Sequence, residues 1–135
     1  MKSLQVGVKI FLKNRKDQYL VIQRAKEGKP TDGKWDIPGG RIDVGVALME
    51  NLSRELREEI GLENLDLSSA TLLCAQDILQ ETIHVVRLTY LLSGDFDHFT
   101  PKLSHEHVRY RWTSLDALKN LVSNDVITLA GTNHL

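Results

Sequence analysis

The stretch from Gly40 to Leu62, GRIDVGVALMENLSRELREEIGL, constrains this chain more than any other. Met49, Leu52, Leu56 and Ile60 recur at helical spacing, which predicts a helix from about Val46 to Ile60 with one core face. Gly61 is placed to cap it in a left-handed conformation, with Leu62 packing back on the helix. Glu55, Glu58 and Glu59 lie three and four residues apart, within an arc of roughly 100°. With Met49 at 0°, the core stripe spans about 300° to 20°, and Glu55, Glu58 and Glu59 fall near 240°, 180° and 280°. Glu59 is therefore at the rim of the buried stripe and Glu58 further toward solvent. Carboxylates this close repel, and a partly dehydrated one is costly unless it meets a cation or takes up a proton. A hard divalent ion such as Mg²⁺ turns the repulsion into attraction. The plain alternative is a surface helix laced by Glu50–Arg54 and Arg54–Glu58 pairs.

The rest of the chain supplies strands. Val6, Val8, Ile10 and Leu12 alternate and predict a first strand with one buried face. Asn14 to Asp17 reads as a turn, and Tyr19 to Arg24 as the returning strand. Residues 26–34 are a polar loop, and Trp35-Asp36-Ile37 is a short strand stopped by Pro38-Gly39-Gly40. Thr71 to Asp77, Ile83 to Leu92 and Val108 to Trp112 are further strands, and Ser114 caps a helix carrying Leu115, Leu118 and Leu121. Val126, Ile127 and Leu129 add a strand or pack as a tail. The order predicts an α/β (α+β) fold: a mixed sheet with helices on its faces, in one domain over residues 1–135. A net charge of -1 gives no footprint for a nucleic acid polymer. No apolar run nears the ~20 residues of a membrane span. The single cysteine, Cys74, rules out an internal disulfide framework and suggests a reducing, cytoplasmic setting. It reads as a buried, inert thiol in an apolar strand.

The spacing of Gly40, Arg54, Glu55, Leu56, Glu58, Glu59, Gly61 and Leu62 resembles the signature of the Nudix (MutT-like) hydrolases, and GKWDIPGG resembles that family's lead-in. The resemblance implies an α/β/α sandwich with the catalytic helix after a glycine-rich loop. It implies Mg²⁺-dependent hydrolysis, with Mn²⁺ as a substitute, of the diphosphate linkage in a nucleoside diphosphate joined to a group X, a nucleoside triphosphate among the candidates. By the resemblance, Glu55, Glu58 and Glu59 ligate metal with the Gly39 carbonyl, and Arg54 belongs to the catalytic set. Arg24, at a strand end, and Glu106, in the loop before the last strand, are its candidates for binding substrate. His105 and His107, two residues apart, are too few for a metal site of their own.

One position departs from the family: Val46 stands where the first glutamate is usual, so Arg54 needs another acidic partner, for which Asp43 and Glu50 are the candidates. The partner implied is a small nucleotide, and a homodimer stays open. The alternative, supported by Val46 alone, is a catalytically weak Nudix domain that binds a nucleotide as a sensor or partner module.

Overall fold

Alternating apolar residues in the first strand decide the layer order. The structure, a computed structural model, describes residues 2–122. Strand β1 (Ser3–Lys13) buries Val8, Ile10 and Leu12 on one face, as the alternation predicts. Phe11 is equally buried on the other, which corrects the expectation of a single buried face. The chain turns where Asn14 Oδ1 accepts the Lys16 and Gln18 N–H groups. It returns as β2 (Tyr19–Arg24), followed by β3 (Trp35–Asp36), β4 (Gly39–Arg41), α1 (Leu48–Ile60), β5 (Thr71–Leu79), β6 (Ile83–Ser93), β7 (His107–Thr113) and α2 (Leu115–Leu121).

These strands form one mixed sheet with β1 at its centre. β1 runs parallel to β6, from Ser3 opposite Ile83 to Lys13 opposite Ser93. Its other edge is shared by two antiparallel partners, β4 at Gly7 to Lys9 and β2 at Lys13. β3 and β7 flank β2, and β5 pairs with the outer edge of β6. Helix α1 covers one face, where Leu52, Leu56 and Ile60 pack on Val8, Ile10, Leu12, Leu20 and Ile22. Helix α2 covers the other, where Leu118 packs with Phe11, Tyr19, Val21 and Ile37. The result is the expected α/β/α sandwich.

Three local expectations change. Pro38-Gly39-Gly40 does not merely stop β3, because the glycines form β4 and pair with β1. Helix α1 starts at Leu48, later than Val46: Gly45 takes φ +86°, and the Val46 N–H closes a turn on the Asp43 carbonyl. Cys74 is half-buried beside the α2-side core rather than fully enclosed. At the other end of α1 the cap is as predicted. Gly61 has φ +70°, its N–H bonds the Arg57 carbonyl, and the Leu62 N–H reaches the Leu56 carbonyl. The segment holding Val126, Ile127 and Leu129 lies outside the described residues. Among those residues no helix is long and apolar enough to cross a membrane.

Gly39 is the tightest point of the sheet. It holds φ +137°, and a Cβ there would stand 2.0 Å from the Val8 carbonyl oxygen and 2.8 Å from the Lys9 Cα. Both atoms are backbone, so nothing swings aside. Gly39→Ala should cost about 3 kcal/mol or more by denaturant titration. A wild-type unfolding midpoint in that variant would contradict the described path of β4.

Candidate active site

The site is built where the last turns of α1 meet β4. Glu59 lies beside the core stripe, so packing Leu52, Leu56 and Ile60 on the sheet draws its carboxylate inward and leaves the side chain 10% exposed. Its Oε1 accepts the Gly39 N–H at 2.8 Å. Burial pushes the Glu59 carboxyl up to about 7, against the pull of Lys9 and the Gly39 N–H, with Glu55 and Asp36 adding to the rise. Glu55 is one turn earlier, and its carboxylate lies over Gly40. A Cβ on Gly40 would come within 3.0 Å of it, so the missing side chain makes the room. Burial also raises the Glu55 carboxyl, with Arg54 opposing. Glu58 is 59% exposed, with Oε1 3.9 Å from Arg54 Nε. Among the described residues no three histidine, cysteine or acidic side chains converge on one point. As the helical wheel indicates, Glu55 and Glu59 form the inner pair and Glu58 stands outside it.

Arg54 answers the departure at Val46. It ion-pairs with Asp43, in the loop before the helix, and its Nη2 donates to Asn51 Oδ1 at 3.0 Å and to Glu55 Oε1 at 3.4 Å. Asp43 raises the Arg54 pKa further, so the guanidinium stays charged. Of the two candidate partners the structure supplies Asp43. Asn51, which the sequence did not single out, is fully buried. Its Oδ1 also accepts the Asp43 N–H at 3.2 Å, and its Nδ2 donates to the Arg41 carbonyl at 3.3 Å. The loop from Arg41 to Asp43 is thereby tied to the helix that carries the glutamates.

A cleft of about 760 Å³ opens beside this corner. Six basic side chains line it (Lys9, Arg24, Lys29, Arg41, Arg54, Arg87) against three acidic ones (Asp36, Asp43, Glu55), with Gly39 and Gly40 in the wall. Such a lining attracts anions. Lys9 Nζ sits 3.1 Å from Asp36 Oδ2 and 3.2 Å from the Ile37 carbonyl. Burial would raise the Asp36 carboxyl, but Lys9 and the Ile37 N–H hold it below the usual range. Arg24, at the end of β2, lines the cleft. Glu59 does not line it but lies behind Gly39, and Glu58 is outside. Glu106 is exposed and away from the lining: its main-chain oxygen accepts the Ala25 N–H at 2.8 Å. His107, read in sequence as half of a weak pair, is buried against Glu59, with Nε2 3.8 Å from Oε2. Period-two alternation in HVRYRWT marks one face of β7 but does not say that this end of the strand is covered.

The arrangement is an α/β/α domain with a carboxylate-bearing helix beside an anion-attracting cleft, and its fold is known. A MutT protein from Methanosarcina mazei Go1 superposes with a TM-score of 0.82 over 98% of this chain and 95% of its own, at 22% identity. The NUDIX domain family matches residues 3–130, and the chain belongs to that family. The 8-oxo-dGDP phosphatase NUDT18 of Danio rerio is 29% identical over 124 residues, 92% of this chain but 36% of its own length. The chain thus spans about a third of that relative. The nucleoside triphosphatase NudI of Klebsiella pneumoniae is 30% identical over 115 residues, covering 78% of this chain and 79% of its own.

The Glu59 environment has a measurable consequence. A carboxyl whose folded pKa lies above its unfolded one binds more protons folded than unfolded, so stability falls as pH rises from about 4.5 to about 7. Glu59→Gln keeps an acceptor for the Gly39 N–H and removes the charge. In metal-free protein it should be more stable than wild type by about 2–3 kcal/mol at pH 8, with the gain gone near pH 4.5. A difference between the two proteins that is independent of pH would contradict the assigned burial cost.

Proposed function

We propose that residues 1–135 act as a single Nudix hydrolase domain that cleaves the diphosphate linkage of a nucleotide bound in the basic cleft. The observation that carries this reading is the inner pair Glu55 and Glu59, two carboxylates whose burial outweighs the cations and the N–H that oppose it, beside a cleft with six basic side chains. The donor set fits a hard divalent cation: carboxylate oxygens only, on a helix, with a Cβ-free strand against them. Glu55 and Glu59 would hold Mg²⁺, with Mn²⁺ as a substitute, assisted by Glu58 and the Gly39 carbonyl. A cation bound there supplies Lewis acidity toward phosphate oxygens and lowers the pKa of bound water. Arg24, Lys29 and Arg87 face the cleft from β2, the following loop and β6, where they can hold polyphosphate oxygens. Arg54, also in the cleft lining, holds the loop from Arg41 to Asp43 on the helix through Asp43 and Asn51. Glu106, exposed and outside the cleft, is a weaker candidate for contact with substrate.

Relatives named for acting on 8-oxo-dGDP and on nucleoside triphosphates make nucleoside di- and triphosphates the first substrates to try. The binding-only alternative rested on Val46. The pairing of Arg54 with Asp43 speaks against it.

The test is a hydrolysis screen with Mg²⁺ or Mn²⁺ over nucleoside di- and triphosphates, nucleotide sugars and dinucleoside polyphosphates, reading released phosphate and diphosphate. Turnover is expected on at least one class, reduced about 100-fold or more in Glu59→Gln and abolished by EDTA. Full-rate turnover in Glu59→Gln would sink the assignment of Glu59. Tight nucleotide binding without turnover on any substrate would favour the binding-only alternative.

A further inference from the structure

His107 is a buried polar group that the proposed reaction leaves unused. Its side chain is 1% exposed, Nε2 faces Glu59 Oε2 at 3.8 Å, and Nδ1 is buried with no hydrogen-bond partner among the described residues. A neutral imidazole carries one N–H. With Glu59 ionised, as it is when it holds a cation, a lone pair on Nε2 would face the lone pairs of the carboxylate, whereas Nε2–H is attracted to them. The proton therefore belongs on Nε2, and the unpartnered nitrogen is an acceptor rather than a stranded donor.

The backbone brings this ring to Glu59 by several fastenings. The Lys102 N–H donates to the Ile60 carbonyl at 2.8 Å, and the Ser104 N–H to the Glu59 carbonyl at 3.1 Å. These bonds satisfy carbonyls that the helix end leaves open. The His107 N–H then closes on the Ser104 carbonyl at 3.2 Å. A register shift between Gln23 and Arg24 in β2 sets His107 opposite Arg24. Glu59 is thus approached at three oxygens: its carbonyl by Ser104, Oε1 by Gly39 and Oε2 by His107.

We propose that His107 is a positioning residue, whose Nε2–H orients the second carboxylate oxygen of Glu59 for a divalent cation. The inference rests on the metal-site reading above. At 3.8 Å the contact is an electrostatic approach rather than a full hydrogen bond, and such contacts tighten once a site is filled. Partners behind metal ligands typically change metal affinity by about 10–100-fold when removed.

The experiment is a Mn²⁺ titration, followed by electron paramagnetic resonance, of the wild type, His107→Phe and His107→Gln. His107→Phe should weaken Mn²⁺ binding about tenfold or more. His107→Gln, which keeps an N–H at a similar reach, should recover most of it. Equal Mn²⁺ affinity in wild type and His107→Phe would overturn the inference, as would two folded variants equally weakened. Wild-type protein that binds no Mn²⁺ would overturn the metal-site reading and this inference with it. Should His107→Phe not fold, nitrogen-15 spectra of the wild-type histidines decide. At pH 8, where the Glu59 carboxyl is mostly ionised, the Nε2–H tautomer is expected at His107, and the Nδ1–H tautomer would overturn the assignment.

Discussion

The hydrogen bond from the Gly39 N–H to Glu59 Oε1 joins the two parts on which the site depends. One part is a strand that only glycine can build, because β4 passes against β1 with no room for a Cβ at position 39. The other is a helix whose apolar stripe draws a carboxylate into the interior. Either alone would be unfavourable: an orphaned backbone donor in one case, a dehydrated carboxylate in the other. Together they satisfy the N–H and hold the carboxylate, yet burial still pushes it up to about 7. The remaining imbalance is what a cation or a proton would relieve.

Charge around this bond is sorted by depth. Glu59 lies against the Gly39 backbone, out of the cleft, while Glu55 shares the cleft lining with the basic side chains. Lys9 lies between the two regions. It pairs with Asp36 and also draws Glu55 and Glu59 toward their charged forms. Arg54 is held at the cleft wall by Asp43 and Asn51, so it steadies the loop at Arg41 to Asp43 while remaining in reach of Glu55. Replacing a glutamate by valine at position 46 therefore leaves Arg54 paired: its acidic partner sits three residues earlier in the chain, in a turn closed by the Val46 N–H itself.

Much of this was readable from the residues alone. Periodicity set the face of α1 and hence the order of exposure among its glutamates, because a helix gives each position a fixed angle. Gly61 and Ser114 were readable as caps, since their bonds are local: the Ser114 hydroxyl accepts the Ala117 N–H at 3.2 Å. What escaped depends on contacts distant in sequence. A three-residue strand of two glycines and an arginine has no propensity to announce it, and only pairing with Val8 and its neighbours makes β4. Phe11 lies on the face that the alternation of Val6, Val8, Ile10 and Leu12 leaves outside the core, until α2 covers it. Asn51 and His107 are ordinary polar residues in sequence. Their burial follows from the 41–43 loop and the 102–107 segment folding back on α1.

The claim that a buried, partly protonated Glu59 is a metal ligand is tested most directly by proton release on Mn²⁺ binding. Calorimetric titrations at pH 6.5 in two buffers of different ionisation enthalpy count the protons displaced per ion. With the Glu59 carboxyl at about 7, a large part of a proton should leave for each ion bound to wild type, and clearly less in Glu59→Gln, where only the raised Glu55 carboxyl remains to release one. Binding to the wild type that releases no proton, or the same release in both proteins, would contradict the account.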